Sequence, residues 1–224
     1  MSLNAPFACV LFDLDGTLLD TAPDLMACLQ EALTAHHHAD SYQASAKPWV
    51  SFGALAMIQQ CVPTLSAGEQ QAILDTMLAR YAQHIARHTV FFTGMDKVLA
   101  FLESHGIPWG IVTNKRRRFT EPLLRCLGLE TRVVCAVSGD STANPKPHTD
   151  PMLLACRLAG VAPEQCVYIG DALHDIVAGN NAQMYTLAAV YGYLKPCDNP
   201  LQWGANGLIA SPDALLAWLQ TRLE

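Results

Sequence analysis

The sequence predicts an α/β protein: a doubly wound parallel sheet with a small all-helical domain inserted after its first strand. Three observations carry this expectation. Residues 7–12, Phe-Ala-Cys-Val-Leu-Phe, read as a strand buried on both faces. From Gly94 onward, strand-like runs alternate with helical patterns, as in a sheet covered by helices. Between these regions lies a stretch with helical patterns and no obvious strand.

Taken in order, Thr21-Ala22-Pro23-Asp24 marks a helix start with a hydroxyl cap, an early proline and an acidic first turn. Leu25, Leu29 and Leu33 then recur at helical spacing, and the pattern dissolves at His36-His37-His38. Residues 49–62 and 69–88 read as helical, with Ile73, Leu74, Met77, Leu78, Tyr81 and Ile85 forming one apolar stripe. Later helices are expected near 98–105, 118–127, 151–159 and 175–180. Strands are expected at 107–112, 133–137, 166–169 and 186–190, with a short run at 207–209 and a helix at 212–223 closing the chain. The division is therefore 1–19 and 94–224 for the sheet domain and 20–93 for the helical insertion.

The chain has 224 residues, 51% of them hydrophobic, enough to bury a sizeable core. A formal net charge of -6 argues against a nucleic-acid surface and fits action on a small molecule. No apolar stretch is long enough to cross a bilayer, and the N-terminal run lacks a basic lead-in and a small-residue cleavage pattern. The expected location is the cytoplasm. Cys9, Cys28, Cys61, Cys126, Cys135, Cys156, Cys166 and Cys197 include no C-x-x-C pair, and most sit in apolar runs. They read as buried, reduced thiols rather than disulfides or zinc ligands.

Polar residues follow four of the apolar runs, and in open α/β sheets ligands collect beyond the carboxyl ends of strands. The first run gives Asp13 and Asp15, two carboxylates on the same side by strand alternation, followed by Gly16. Such a pair repels itself unless a cation intervenes, and a hard divalent ion such as Mg2+ prefers these oxygens. The second run ends in Thr113-Asn114-Lys115, a hydroxyl and an amide able to hold phosphoryl oxygens. After the third comes Asn144-Pro145-Lys146-Pro147, a lysine constrained between prolines. The fourth ends Gly170-Asp171, with His174 and Asp175 just beyond. A nucleophile, a cation site and a lysine facing a dianion are what phosphoryl transfer requires.

On Asp13-Leu14-Asp15-Gly16-Thr17, Thr113-Asn114, Lys146, and Gly170-Asp171 with Asp175, the chain resembles the haloacid dehalogenase-like (HAD) superfamily of aspartate-dependent phosphatases. The resemblance covers essentially the whole chain. It implies a Rossmann-like core, with the insertion acting as a mobile cap of the family's first type. It further implies Asp13 as the nucleophile that forms an aspartyl phosphate, and Asp15 as the acid that protonates the leaving oxygen and later activates water. Thr113 and Asn114 would bind the phosphoryl oxygens, and Lys146 would offset charge on Asp13 and the phosphoryl group. Mg2+ would rest on Asp13, the backbone carbonyl of Asp15 and Asp171, with Asp175 supporting that site.

The segments Val112–Lys115 through Pro122, Leu127-Gly128-Leu129 and Ala189-Val190-Tyr191-Gly192-Tyr193 are similar to the phosphoglycolate phosphatase branch. Asp198-Asn199-Pro200 and Trp203-Gly204-Ala205 are more similar to proteobacterial N-acetylmuramic acid 6-phosphate phosphatases. Both readings give a Mg2+-dependent phosphomonoesterase acting on a small phosphorylated metabolite, as a monomer or homodimer. Sugar phosphomutase chemistry and a non-catalytic binding role are the alternatives. A dehalogenase is disfavoured because Asp15 supplies an acid that dehalogenases of this superfamily lack.

Other features read more blandly. The histidine triplet suits a helix end, and the stripe from Ile73 to Ile85 suits packing within the cap. Lys115-Arg116-Arg117-Arg118 is either a solvated run or the source of one cation for the phosphate. Gly53 is either a break before a helix or a point of close approach to substrate. Substrate choice is expected to lie in the cap, near Lys47 to Ala56.

Overall fold

A computed structural model describes residues 7–223. Its six-stranded sheet runs in the order β5 (Ala136–Val137), β4 (Trp109–Val112), β1 (Cys9–Phe12), β6 (Cys166–Gly170), β7 (Tyr185–Ala189) and β8 (Gly207–Ile209), with every pair parallel. The order reverses beside β1, which puts the first strand at the centre of the crevice where such sheets bind ligands. All four residues of β1 are fully buried. Val10 and Phe12 face a cluster built with α4 (Met95–Ser104), α5 (Arg117–Cys126) and α8 (Pro212–Leu223). Cys9 and Leu11 face the opposite cluster, which holds Met152, Ala155 and Cys156 of α6 (Asp150–Ala159) and Ala178 of α7 (Leu173–Asn181). Alternation along one short strand thus divides the hydrophobic core between two helical layers.

The helical stretch lies between β2 (Leu19–Asp20) and β3 (Val90–Phe91), which pair antiparallel as a separate two-stranded ribbon. It contains α1 (Ala22–Ala35), α2 (Ala54–Cys61) and α3 (Ala67–Gln83), packed around their own apolar cluster. Asp24 is buried in the first turn of α1 and accepts from the backbone N–H groups of His88 (2.8 Å) and Thr89 (3.0 Å). The Thr89 hydroxyl donates to it as well, at 2.7 Å. One carboxylate therefore joins the chain entering the helical unit to the chain leaving it.

Several expected elements differ in detail. The Thr21 side chain does not cap α1; its hydroxyl donates to Asp15 instead. The expected helix over 49–62 is two pieces, a 3-10 segment Ala44–Phe52 and then α2, and the break falls at Gly53. Gly53 joins them with φ +91°, and a Cβ there would meet nothing, so the backbone conformation is its requirement. The helix expected to reach His88 ends at Gln83, although its start is well defined by a Ser66/Glu69 capping box. The strand expected over 133–137 contracts to its last two residues at the sheet edge. Of the eight cysteines, six are buried and unpaired, while Cys126 and Cys197 are exposed. Among the described residues no helix is long and apolar enough to cross a membrane.

Candidate active site

Asp13 and Asp15 follow the end of β1 and line a cavity of about 480 Å³ beneath the helical unit. β1 stops at Phe12, so strand alternation does not itself extend to the two acids; the turn places both there. Gly16 makes that turn with φ +85°, and a Cβ on it would run into the Asp171 carboxylate. Thr113, Asn114 and Lys115 from the end of β4 and Lys146 line the same cavity. The structure thus brings the four strand-end groups to one place.

Lys146 is completely buried, and four oxygens surround its ammonium. They belong to Asp13 (2.8 Å), Asp175 (2.7 Å), the Tyr168 hydroxyl (2.9 Å) and the Val112 carbonyl (2.9 Å). Burial works against the lysine's charge, but the Asp13 and Asp175 carboxylates outweigh it and raise its pKa. Asp175 moves the other way: burial opposes its charge, and Lys146 overcomes that and lowers its pKa.

Among the described residues, Asp171 has no such cation. Its carboxylate accepts from Thr17 Oγ1 (3.3 Å), Ser51 Oγ (2.9 Å) and the Tyr193 N–H (2.8 Å), all neutral donors. Burial, then the charges of Asp13 and Asp175, push it well above the usual carboxylate range. Burial also raises Asp13 to about 7 despite the pull of Lys146. Oxygens of Asp13, Asp171 and Asp175 lie within 4.8 Å of one another, and all three residues are buried. A buried group of three carboxylates facing one ammonium has excess negative charge and all-oxygen donors, which suits a hard divalent cation.

Two residues take places that the sequence did not disclose. Both ends of the Asn114 amide engage the Lys146 backbone: Nδ2 donates to its carbonyl and Oδ1 accepts its N–H, each at 3.0 Å. The Asn114 side chain, expected to bind phosphate, lines the cavity and fixes the loop that carries Lys146. Lys115 turns inward, its Nζ 3.0 and 3.2 Å from the Asp15 oxygens, while Arg116, Arg117 and Arg118 remain exposed. Burial acts against its charge, and the Asp15 carboxylate more than compensates, raising its pKa. The basic run itself showed no sign of which residue would turn inward.

The helical unit supplies the remaining wall, including Leu25, Val50, Ser51, Phe52, Leu78 and Tyr81. Phe52 meets His174 edge to face at 5.7 Å, and the Lys195 ammonium lies 3.7 Å from the Phe52 ring centroid. Burial holds the His174 imidazole below its usual pKa. His148 lies away from the cavity lining and pairs with Asp150 at 3.0 Å on the surface. The triplet histidines stay at the end of α1, where His36 bonds to Thr76 Oγ1 at 2.8 Å.

A family model described as haloacid dehalogenase-like hydrolase matches residues 10–189, which include every strand-end group above. The chain belongs to the haloacid dehalogenase-like hydrolase family. Within this family it is 39% identical to an N-acetylmuramic acid 6-phosphate phosphatase of Pseudomonas aeruginosa, over 96% of this chain and 95% of that one. It is 38% identical to a phosphoglycolate phosphatase of Xylella fastidiosa, with 96% of each chain covered. Its fold matches a crystal structure titled a predicted phosphoglycolate phosphatase from Haemophilus somnus, with a TM-score of 0.83 and 24% identity over 96% of this chain and 99% of that one. It also matches CbbY from Rhodobacter sphaeroides in complex with phosphate, with a TM-score of 0.74 and 22% identity over 96% and 99% of the two chains.

Proposed function

We propose that this haloacid dehalogenase-like hydrolase is a phosphomonoesterase that uses Asp13 as nucleophile and a divalent cation, Mg2+, as cofactor. The observation that carries the reading is the convergence of Asp13, Asp15, Thr113 and Lys146 on one cavity, beside the Asp171 and Asp175 carboxylates. Asp13 attacks phosphorus and forms an aspartyl phosphate. Asp15 protonates the leaving oxygen, then takes a proton from the water that hydrolyses the intermediate. Thr113 bonds the phosphoryl oxygens, and Lys146 balances charge on Asp13, held in place by the Asn114 amide. Asp13, the Asp15 carbonyl and Asp171 would hold the cation, with Asp175 anchoring Lys146 beside it. When bound, the cation supplies positive charge against the phosphoryl oxygens.

In this reading residues 20–93 are a cap and the remainder the catalytic core. The enzyme acts in the cytoplasm on a small phosphorylated metabolite, without nucleic acid or membrane, as a monomer or homodimer. Phosphoglycolate is the first substrate class, in line with the names of several relatives at 38–39% identity. N-acetylmuramic acid 6-phosphate is the second, from a relative at 39% identity. The cavity, about 480 Å³, falls within the roughly 300–1,000 Å³ that encloses ligands of drug size, so a phosphosugar fits this volume class.

The test is phosphate release from p-nitrophenyl phosphate, 2-phosphoglycolate, N-acetylmuramic acid 6-phosphate and hexose phosphates, with and without Mg2+. We expect Mg2+-dependent turnover that Asp13→Asn abolishes in a folded protein. Normal turnover by Asp13→Asn would refute the nucleophile assignment. An isomerised sugar phosphate without net phosphate release would establish a phosphomutase instead.

A further inference from the structure

We propose that Lys115 and Tyr81 form a leaving-group subsite that selects esters whose alcohol portion carries a carboxylate. This rests on the phosphomonoesterase reading and deepens it. The phosphoryl end of the cavity already has its charge partners, since Lys146 bridges Asp13 and Asp175. Lys115 stands apart from them. Its ammonium contacts Asp15, the acid assigned to the leaving oxygen, and therefore marks the side from which the alcohol departs.

Across this position, Tyr81 comes down from α3 in the cap, with the Lys115 ammonium 4.7 Å from its ring centroid. Tyr81 is 1% exposed, and its hydroxyl is the buried side-chain atom that lacks a hydrogen-bond partner among the described residues. Leu25 and Leu78 line the same cavity with no polar side-chain atoms. An ammonium and an unpartnered phenol thus meet in a largely apolar wall. Both can donate, and one carries positive charge. A carboxylate complements this pair, because its two oxygens accept from both donors and its charge matches the lysine. A neutral hydroxyl can accept from both donors but brings no charge to match the lysine. The carboxylate would share the ammonium with Asp15 rather than displace any group at the phosphoryl end.

The test uses the Mg2+-loaded enzyme and two matched pairs of esters. The first is 2-phosphoglycolate against 2-hydroxyethyl phosphate. The second is N-acetylmuramic acid 6-phosphate against N-acetylglucosamine 6-phosphate. The readout is the ratio of kcat/KM for the acidic member to that for the neutral member. In at least one pair we expect the acidic ester to be preferred by about tenfold or more, the scale for a charge-assisted recognition bond. Tyr81→Phe, which keeps the ring, and Lys115→Met should each lower that ratio by about tenfold, Tyr81→Phe mainly through KM. Lys115→Arg should retain most of the preference. A ratio unchanged in folded Tyr81→Phe and Lys115→Met would overturn the subsite, as would a wild type with no preference in either pair. Failure to turn over any of the four esters would overturn the phosphatase reading, and the subsite with it.

Discussion

The two walls of the cavity are built on opposite principles. The core wall concentrates charge: Asp13, Asp171, Asp175 and Lys146 are all buried, the carboxylates accepting hydrogen bonds and the Lys146 ammonium donating them. The cap wall is mostly apolar, with Leu25, Val50, Phe52, Leu78 and Tyr81. Among the cap residues that line the cavity, Ser51 makes a side-chain hydrogen bond to the core acids. Buried charges hold a defined geometry only when every partner is present, whereas an apolar wall tolerates change of shape. In the proposed reading, phosphoryl chemistry falls to the rigid wall and part of the discrimination among leaving groups to the adaptable one. Substitutions of the buried core acids and Lys146 should destroy turnover, and those on the cap side should alter selectivity.

The sharpest way to break this contrast is Lys146→Met. It leaves Asp13 and Asp175 buried without their ammonium. Removing one partner of such a network costs about 3–5 kcal/mol. For a chain of this size that lowers Tm by about 10 °C in a thermal melt. Turnover should fall by about 10³-fold, the scale for losing one preorganised charge partner. A variant with wild-type Tm and substantial kcat would show that the core wall is not the charge-dependent half.

Metal addition probes the same wall through pH. Asp13 is raised to about 7 from an ordinary 3.8, mainly by burial, and Asp171 is raised too, again chiefly by burial. The folded chain therefore keeps protons that the unfolded chain has released, so these acids subtract stability as pH rises from about 4 to about 7. Asp175, lowered, and Lys146, raised, titrate outside that window. A divalent cation replaces the retained protons, so its stabilisation should grow across the same range. At a hundredfold excess over Kd the gain is about 2.7 kcal/mol, a Tm rise of about 8 °C near pH 7.5 and less near pH 5. Equal shifts at both pH values would contradict the charge-excess account of the core wall.

How much of this was legible in the sequence depends on whether a residue's position or its contacts are in question. Asp13, Asp15, Thr113, Lys146 and Asp171 could be read because each follows an apolar run, and a parallel sheet gathers such ends. Lys146 also carried the mark of its flanking prolines. The other contributors were hidden in patterns with a simpler meaning. Tyr81 sits in an apolar stripe, and its ring does pack 5.4 Å from Phe119, yet the residue also lines the cavity. Lys115 is one of four consecutive cations, and only the fold distinguishes the one that turns toward Asp15. Asn114 could be read as a residue at a strand end, but its pairing with a backbone 32 residues later depends on tertiary structure, which no local spacing encodes. Asp24 is the acid of a helical first turn that the sequence indicated, and it is also the clamp between the helical unit's two connections, which local pattern does not show.

That clamp gives a prediction of intermediate size. Asp24→Ala leaves the His88 and Thr89 N–H groups without their carboxylate in a buried setting, which costs about 2 kcal/mol. Tm should fall by about 6 °C. If the cap moves about these connections, hydrogen exchange at residues 88–91 should accelerate while exchange in β1 and β6 stays unchanged. Uniform acceleration across both regions would show that cap and core unfold as one unit, and would blur the contrast between the walls.

Ser51→Ala is the mildest probe and the one that touches both walls at once. The Ser51 hydroxyl reaches from the 3-10 segment of the cap to Asp171, which retains two other donors when it is lost. Because Asp171 stays partnered, the substitution forfeits one bond to a carboxylate, about 1 kcal/mol, rather than stranding a charge. That corresponds to about fivefold in an equilibrium. If the bond helps hold the cap down over the core, the loss should appear as about a fivefold rise in KM with kcat nearly unchanged, since the groups assigned to bond making are intact. A fall in kcat at constant KM would mean that Ser51 acts on the metal-binding acid during the chemical step. The rigid wall would then extend one residue into the cap.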